Sequence, residues 1–278
     1  MNCSELIRNT AQRFQEAGIP DPVNDAALLL SHLTGRPPLQ LRLDDVTAVS
    51  IRIINAYEAL VCKRLSRIPL QYLLGEAPFF GRFFAVDPRV LIPRPETELL
   101  CEWALEELTD TPGPRILDLC CGSGCIGITL KSERPDASVI LSDISPDALS
   151  LARENAVRLS AEVSFCRSDL LDIFRKPFFN LIISNPPYIP SADCDTLQPE
   201  VLQEPRLALD GGTDGLSVYR RIVPEALNAL VPGGLLMMEM GIDEDRTVAG
   251  LLKVAGFRSI QVREDYAGIR RMIMAVKP

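Results

Sequence analysis

The stretch RILDLCCGSGCIGITLKSE, Arg115–Glu133, decides the fold class. Its short apolar run RILDL predicts a strand, and GCIGITLKSE predicts a helix. Between them lies a turn that contains Gly122 and Gly124, whose missing side chains permit positive φ and let a ligand approach the backbone closely. A strand, a glycine turn and a helix in this order are typical of nucleotide-binding α/β folds.

Strands and helices keep alternating after this unit. Five further apolar runs predict strands, the last of them at a sheet edge: SVILSD, EVSFC, NLIIS, GLLMMEM and RRMIMAV. A helix capped by Ser145, with Pro146 at its first position, follows SVILSD. Strands of near-continuous apolar character fit a parallel sheet with helices on both faces, so the sequence predicts a doubly wound α/β domain.

The first seventy residues predict helices and no strands. The first helix has a cap signal at Ser4, the second starts at Pro22 and ends at Gly35, and the third covers Val46–Leu65. Aromatic and β-branched residues punctuated by Gly and Pro then predict a hairpin or an extended linker. We therefore expect a small helical domain, a hairpin linker and an α/β domain, over residues 1–74, 75–98 and 99–278.

Composition and charge restrict the class of protein. The chain has 278 residues, of which 47% are hydrophobic and 24% are charged, as is typical of a soluble globular protein with a core. No apolar run reaches the roughly 18–20 residues that span a bilayer, and the start lacks a secretory signal, so we expect a cytoplasmic protein. A net charge of −8 without a dense basic run disfavours binding to nucleic acid.

Eight cysteines and one histidine raise the question of a disulfide framework or a metal site. In a long chain without an export signal, reduced thiols are expected. The cluster CCGSGC has no second cysteine cluster to complete a metal site, and the sole histidine, His32, is distant in sequence. The sequence thus predicts no metal, and we expect these cysteines to pack a turn.

Ligands of such a sheet bind outside the carboxyl ends of the strands. The turn after RILDL matches the dinucleotide fingerprint only in part and lacks the Walker lysine, which argues against a phosphate cradle. Asp143 ends the next strand, 19 residues after Gly124, and is placed to accept hydrogen bonds from both hydroxyls of a ribose. The alternative is a helix-flanking aspartate near Ser145.

The strand EVSFC is followed by a second acidic residue. Asp169 is placed there to meet an adenine amino group, and Leu170 is placed to cover the adenine ring. Plain solvent exposure of Asp169 is the alternative.

The segment SNPPYIP, Ser184–Pro190, ends the fourth predicted strand rigidly. Pro186 and Pro187 lock their own φ at about −65° and restrict the residues before them. This rigidity fixes the side-chain oxygen of Asn185 and the carbonyl oxygen of Pro186 as two acceptors for a planar NH2 group. Tyr188 is placed to lie over a flat substrate group or near a cation. The alternative is a plain turn with a buried tyrosine.

These motifs resemble those of amino-methyltransferases that use S-adenosylmethionine, in which NPPY follows DLxxGSG. Over nearly the whole chain, further segments are similar to the protein-(glutamine-N5) methyltransferases of the PrmC/HemK type: RIPLQYLLGE, VLIPRPETE, NPPYIP and EPRLALDGGTDGL. The resemblance implies a Rossmann-like fold with a seven-stranded, mostly parallel sheet, S-adenosylmethionine as cofactor and S-adenosylhomocysteine as product. It implies class 1 peptide chain release factors as partners, methylated on the glutamine of their Gly-Gly-Gln motif.

The resemblance also implies roles for particular residues. Cofactor binding is expected of Asp118, Cys120, Cys121, Gly122, Ser123, Gly124, Asp143, Asp169, Leu170 and Asn185. Catalysis is expected of Asn185, Pro186 and Tyr188, and Pro187 joins these three in substrate binding. Cys120 departs from the family pattern, because glycine often occupies this first place of the turn, and a thiol fits there if its φ is negative.

The helical domain is expected to recognise the body of the protein substrate, and the protein is expected to act as a monomer. Arg94 and Glu96 either line the substrate entrance or form a linker ion pair. Two other functions compete. One is methylation of N6 of adenine or N2 of guanine in nucleic acid, because NPPY suits any flat NH2 group on a flipped-out base. The other is a release-factor-binding module without catalysis, against which intact Asn185 and Tyr188 argue.

Overall fold

The computed structural model describes every residue of the chain, 1–278, and divides it into two compact units. The first unit contains Met1–Glu76 together with the short segment Gln198–Gln203, and the second contains Ala77–Leu197 and Glu204–Pro278. None of the helices is both long enough and apolar enough to cross a membrane.

The first unit is helical. Its helices are α1 (Cys3–Glu16), α2 (Pro22–Thr34), α3 (Pro38–Leu43), α4 (Ile51–Leu65) and α5 (Leu70–Leu74). Their apolar faces form one core in which Phe14, Leu30 and Tyr57 are fully buried. This core confirms the predicted helical N-terminal region.

Two helix starts in this unit differ from the sequence prediction. Helix α1 is capped by Asn2 rather than Ser4, because Asn2 and Glu5 form a capping box that satisfies two backbone donors at once. Helix α4 is capped by Ser50 and so begins at Ile51, later than predicted.

A buried group of ion pairs holds the segment Gln198–Gln203 within the first unit. The Arg64 guanidinium donates to Asp25 Oδ2 and to Glu200 Oε1, at 2.8 Å in each case, and Arg67 donates to Glu200 Oε2 at 2.7 Å. Because Arg64 is almost fully buried, its charge depends on these two acidic partners, and removing both would leave that charge uncompensated away from water.

The rest of the chain alternates strands and helices. Its strands are β1 (Glu76–Phe79), β2 (Arg82–Ala85), β3 (Arg115–Leu119), β4 (Ser138–Asp143), β5 (Ser164–Arg167), β6 (Phe179–Ser184), β7 (Leu230–Glu239), β8 (Arg258–Glu264) and β9 (Arg270–Val276). Its helices are α6 (Pro95–Glu107), α7 (Cys125–Glu133), α8 (Pro146–Arg158), α9 (Ser217–Ala229) and α10 (Asp245–Ala255). Strands β1 and β2 form a separate hairpin within the region predicted as a linker.

The remaining seven strands form one sheet in the order β5-β4-β3-β6-β7-β9-β8. Strand β9 runs antiparallel to both of its neighbours, and the other pairs are parallel. This arrangement confirms the predicted doubly wound, seven-stranded, mostly parallel α/β fold. Strand β8 carries no apolar run and is largely exposed, so it was not among the strands that the apolar pattern predicts.

Alternating side chains of the central strands supply a core on each face of the sheet. Ile116 of β3 packs with Leu100 of α6 and Ile128 of α7 on one face. Leu117, the next residue of β3, packs with Tyr219 of α9 on the other. Burial on both faces explains why β3 reads as a continuous apolar run.

The order of the strands reverses at β3. The chain moves outward from β3 through β4 to β5, and then returns to place β6 on the other side of β3. Leu119 and Ser184, the last residues of β3 and β6, are partners in register. The turn after Leu119 and the NPPY segment after Ser184 therefore emerge next to each other, at the point where doubly wound sheets bind ligands.

Candidate active site

A cavity of about 300 Å³ lies at the carboxyl ends of β3, β4, β5 and β6. Most of the predicted site residues line it: Cys120, Cys121, Gly122, Ser123, Asp143, Asp169, Leu170, Asn185 and Pro187. Four predicted site residues do not belong to the lining: Asp118, Gly124, Pro186 and Tyr188. The structure thus brings the four predicted strand ends together around one cavity.

The glycine turn (Cys120–Gly124) is shaped by backbone conformations that side chains disfavour. Gly122 has φ +52° and Gly124 has φ +79°. A Cβ on Gly124 would lie 2.7 Å from Leu141 Cδ2, so a side chain here would displace Leu141 in addition to straining the backbone. Gly124 N donates to the Cys121 carbonyl oxygen at 2.7 Å, and helix α7 begins directly afterwards.

Cys120 adopts φ +58°, so the condition of a negative φ under which a thiol fits this position without strain is not met. The left-handed region costs a non-glycine residue about 1–2 kcal/mol because Cβ crowds the backbone. Burial raises the pKa of the Cys120 thiol to about 12, and the nearby Asp143 carboxylate adds to this. The thiol therefore stays protonated and weakly nucleophilic while it lines the cavity.

Asp143 connects the glycine turn to the start of α8. Its Oδ2 accepts a hydrogen bond from Gly122 N at 3.0 Å, and its Oδ1 accepts one from Ser145 N at 2.9 Å. Burial raises the pKa of Asp143, and these backbone donors oppose that rise. Ser145 also caps α8, as predicted, by accepting from Ala148 N. Both carboxylate oxygens of Asp143 keep a lone pair for a ligand in the cavity that the residue lines.

Asp118 lies beneath the turn rather than in the cavity lining. Its Oδ2 accepts from Gly127 N at 2.8 Å, while its Oδ1 is buried without a hydrogen-bond partner. Burial is the main cause that raises the pKa of Asp118 to about 7, and the charge of Asp143 contributes. Its predicted contact with the cofactor stays a prediction, whereas its bond to the first turn of α7 is a direct observation.

Asp169 and Leu170 both line the cavity, at the end of β5. Asp169 is half-exposed and forms an ion pair with Arg221 at 3.0 Å. Leu170 is buried and has φ +52°. The apolar side chain and the carboxylate thus stand side by side at the position predicted for an adenine ring.

The NPPY corner (Asn185–Tyr188) presents unoccupied acceptors. Asn185 Nδ2 donates to Thr97 Oγ1 at 3.2 Å, whereas neither Asn185 Oδ1 nor the Pro186 carbonyl oxygen takes part in a hydrogen bond. Asn185 lines the cavity. Two free acceptors on a rigid diproline corner suit a planar group with two N–H donors.

Thr97 and Glu239 contact this corner, and Thr97 also lines the cavity. Neither residue was identified from the sequence. Thr97 Oγ1 donates to Glu239 Oε2 at 2.6 Å, and the Tyr188 hydroxyl lies 3.4 Å from Glu239 Oε1. Glu239 ends strand β7 and is 2% exposed, and this burial raises the pKa of its carboxyl. The sequence does contain a signal for Glu239. A glutamate inside the apolar run GLLMMEM would be a buried charge without a partner unless the fold supplied hydrogen-bond donors or an opposite charge.

The segment EPRLALDGGTDGL packs against the backbone of Tyr188. A Cβ on Gly211 would lie 2.8 Å from Tyr188 Cα, and a Cβ on Gly215 would clash with the Tyr188 carbonyl oxygen. Ile189 and Asp210 form an isolated parallel bridge beside these contacts. The two glycines therefore allow this segment to hold the NPPY corner from one side.

Arg94 and Glu96 take different positions. Arg94 lines the cavity and donates to Glu204 Oε1 at 2.5 Å, whereas Glu96 is not part of the lining. Glu204 is buried and also accepts from Ile92 N at 2.9 Å. The ion-pair partner of Arg94 is thus Glu204 rather than a neighbour in the linker.

Asn155 of α8 is a further residue that the sequence analysis missed. Its buried side chain donates to the carbonyl oxygens of Ala85 and Ser123, both at 3.0 Å, and accepts from Ala85 N at 2.7 Å. It therefore fixes the glycine turn to the second strand of the hairpin.

The cavity has the chemistry that a nucleoside cofactor requires. The hydroxyls of Ser142 and Ser168 are buried in its lining and have no hydrogen-bond partner. In the same lining, Asp143 offers two acceptor oxygens and Leu170 offers an apolar surface. No group of three or more His, Cys, Asp or Glu side chains is arranged to hold a metal ion.

Comparison with known families agrees with this geometry. Residues 97–214 match the family model of the methyltransferase small domain, and residues 5–75 match that of the PrmC N-terminal domain. The fold, the cavity and these matches define a methyltransferase that uses S-adenosylmethionine.

Full-length relatives identify the family. The chain is 43% identical to a release factor glutamine methyltransferase from Deinococcus radiodurans, over 99% of this chain and 98% of the relative. It is 41% identical to one from Geobacter sulfurreducens, over 93% and 90% of the two chains. The chain belongs to the release factor glutamine methyltransferase family.

Solved structures share the fold at low sequence identity. A methyltransferase from Pyrococcus furiosus aligns with a TM-score of 0.56 at 19% identity, over 77% of this chain and 98% of that one. The 16S rRNA N2 G1207 methyltransferase of Thermus thermophilus, solved with AdoMet and guanosine, aligns with a TM-score of 0.54 at 20% identity, over 73% and 50%. At these identities the likeness concerns the fold alone.

Proposed function

We propose that this protein transfers a methyl group from S-adenosylmethionine to the side-chain amide nitrogen, N5, of the glutamine in the Gly-Gly-Gln motif of class 1 peptide chain release factors. The observation that carries the proposal is the free Oδ1 of Asn185, a residue that lines the cavity, on a corner with a second free acceptor at Pro186. Such a modification acts on translation termination, so we place the protein in the cytoplasm.

The cofactor site is assigned to the glycine turn and the strand ends beside it. Asp143 accepts hydrogen bonds from the ribose hydroxyls, and Asp169 and Leu170 receive the adenine ring. The glycine turn lets the cofactor approach the backbone, with Asp118 supporting it from below through Gly127 N. When bound, S-adenosylmethionine supplies an electrophilic methyl group.

The substrate carboxamide is held by two acceptors. Asn185 Oδ1 and the Pro186 carbonyl oxygen accept one N–H each, which turns the nitrogen toward the methyl group. These fixed dipoles also favour the positive charge that develops on the nitrogen during transfer. Orientation of this kind contributes roughly 7–11 kcal/mol relative to a random encounter, and it compensates for the low nucleophilicity of an amide.

No strong base is required in this scheme. The only histidine, His32, belongs to the helical unit. Burial and the nearby Glu239 raise the pKa of the Tyr188 phenol far above neutrality, so Tyr188 acts as a neutral surface for the substrate. The target nitrogen gains the methyl group and then releases one proton to water, because methylation makes it acidic.

Specificity for a protein substrate is assigned to the helical unit. A Gly-Gly-Gln tripeptide offers little surface, so recognition of the release factor body requires a second region of the enzyme. The net charge of −8 disfavours direct binding to nucleic acid. We propose that the protein acts as a monomer.

Mass spectrometry tests the proposed function. A release factor is incubated with the protein and isotopically labelled S-adenosylmethionine, and we expect one labelled methyl group on the glutamine of Gly-Gly-Gln. Asn185→Ala is expected to lower turnover by several orders of magnitude while the affinity for cofactor, measured by calorimetry, changes little. An unmodified release factor, or a methyl group on another residue, would contradict the proposal.

A further inference from the structure

We propose that Thr97 and Glu239 are positioning residues that fix which way the Asn185 carboxamide faces. This inference rests on the proposed function, because it explains how Asn185 keeps an oxygen rather than an NH2 group toward the substrate. The two ends of a carboxamide are almost equal in size, so packing alone does not distinguish them.

Three groups form a chain of hydrogen bonds from the core to the cavity. Glu239 Oε2 accepts from Thr97 Oγ1 at 2.6 Å, and Thr97 Oγ1 accepts from Asn185 Nδ2 at 3.2 Å. Thr97 is 2% exposed and Glu239 is 2% exposed, so water does not substitute for either partner. Asn185 and Thr97 both line the cavity, whereas Glu239 does not.

Which group donates and which accepts in these hydrogen bonds follows from the number of protons that each group carries. A carboxylate has no proton to donate, so the single hydroxyl proton of Thr97 must point to Glu239. The remaining lone pairs of Thr97 then require a donor, and Nδ2 is the only donor that Asn185 has. With Nδ2 held at Thr97, Oδ1 must face the cavity, where the substrate N–H group needs an acceptor.

Protonation of Glu239 reverses the direction of the hydrogen bonds that connect Glu239, Thr97 and Asn185. A carboxylic acid donates to Thr97, whose own proton is then free to point to Asn185 and favours the flipped carboxamide. The groups that face Glu239 come from several elements: Arg271 of β9 favours its ionised form, Glu96 of α6 opposes it, and the hydroxyls of Thr97 and Tyr188 donate to it. Burial raises the pKa of Glu239, which brings the reversal closer to the pH range of an assay.

The first experiment separates the hydroxyl of Thr97 from its bulk. Thr97→Val has the same shape without the hydroxyl, and we expect kcat for a Gly-Gly-Gln peptide to fall about 10- to 100-fold. The KM for the peptide and the calorimetric affinity for cofactor are expected to change less than about threefold. Thr97→Ser restores the hydroxyl and is expected to regain most of the lost kcat.

Thr129→Val is the matched control, because Thr129 is also a buried helical threonine but its hydroxyl has no hydrogen-bond partner. We expect the control to retain the wild-type kcat. A Thr97→Val enzyme with wild-type kcat, or a Thr97→Ser enzyme as impaired as Thr97→Val, would overturn the inference. If the wild-type enzyme does not methylate the peptide, the same variants are compared on an intact release factor. A wild-type enzyme that methylates neither the peptide nor the release factor rejects the proposed function itself.

The second experiment measures kcat against pH. The wild-type enzyme is expected to lose kcat as the pH falls through the pKa of Glu239, whereas Glu239→Gln is expected to have a lower kcat without this acid limb. The loss of kcat in the double mutant Thr97→Val/Glu239→Gln is expected to be smaller than the product of the two single losses. Both substitutions interrupt the same series of hydrogen bonds. An acid limb that persists unchanged in Glu239→Gln would contradict the inference.

Discussion

Ser184 Oγ donates a buried hydrogen bond of 2.7 Å to the Leu119 carbonyl oxygen. These two residues end neighbouring parallel strands, β6 and β3, and are partners in register. The NPPY corner follows one of them, and the glycine turn follows the other. One side-chain bond therefore joins the substrate side of the cavity to the cofactor side.

Removal of the hydrogen bond between Ser184 and Leu119 is expected to lower both the stability of the fold and the rate of turnover. Ser184→Ala takes away the donor to a buried carbonyl oxygen, so the free energy of unfolding should fall by about 1–3 kcal/mol in urea titrations. Ser132→Ala is the control, because the Ser132 hydroxyl only bonds back to the Ile128 carbonyl within α7. Equal stability of the Ser184 and Ser132 variants would show that the bond between the strand ends contributes nothing.

Substitution of Asp143 is expected to weaken cofactor binding. Asp143→Ala removes the acceptors assigned to the ribose and also frees Gly122 N, so the Kd for S-adenosylmethionine should rise at least about tenfold by calorimetry. Asp147→Ala, an exposed acidic residue in the first turn of α8, serves as the control. An unchanged Kd in the Asp143 variant would remove this residue from the cofactor site.

Replacement of Cys120 by glycine is expected to stabilise the fold. Cys120 has φ +58°, and glycine adopts this conformation without the crowding of a Cβ. Cys120→Gly should therefore raise the free energy of unfolding by about 1 kcal/mol. Cys121→Gly should lower it, because Cys121 is buried and its φ is not positive. A destabilised Cys120→Gly protein would mean that thiol packing outweighs backbone strain.

Asp118 is expected to make stability fall as the pH rises. Its pKa is about 7 in the fold, compared with 3.8 ordinarily. Between these values the folded chain binds more protons than the unfolded chain, so its stability declines with pH and the full penalty, on the order of 4 kcal/mol, is present above pH 7. Below about pH 4 the contribution vanishes, because both states are protonated.

Asp118→Asn should remove this contribution while keeping an oxygen for Gly127 N. The difference in unfolding free energy between wild type and variant is measured at several pH values from 4 to 8. We expect the difference to shift in favour of the variant as the pH rises. A difference that does not vary with pH would contradict the assigned pKa.

The fold and most of the cavity were predictable because they depend on local signals. The apolar run of β3, the glycines after it and the acidic residue at the end of β4 each indicate a strand end without knowledge of their neighbours. The prolines that make the corner at Asn185 and Pro186 rigid are likewise visible in the local sequence and mark the end of a strand. Parallel strands then place these ends together, as the topology of doubly wound sheets requires.

The rest depends on contacts between distant parts of the chain. Thr97 and Glu239 are 142 residues apart, and only the packing of α6 against β7 brings their oxygens together. The segment Gln198–Gln203 joins the helical unit through Glu200, which no local pattern indicates. The positive φ of Cys120 follows from the geometry of the whole turn, which overrides the preference of that residue.

The decisive measurement is a crystal structure with S-adenosylhomocysteine and a peptide that contains N5-methylglutamine. We predict that the methylated nitrogen lies within about 3.2 Å of Asn185 Oδ1 or the Pro186 carbonyl oxygen, with the carboxamide between them. A nitrogen more than about 3.5 Å from both oxygens, with either of them directed away from the cavity, would contradict this prediction.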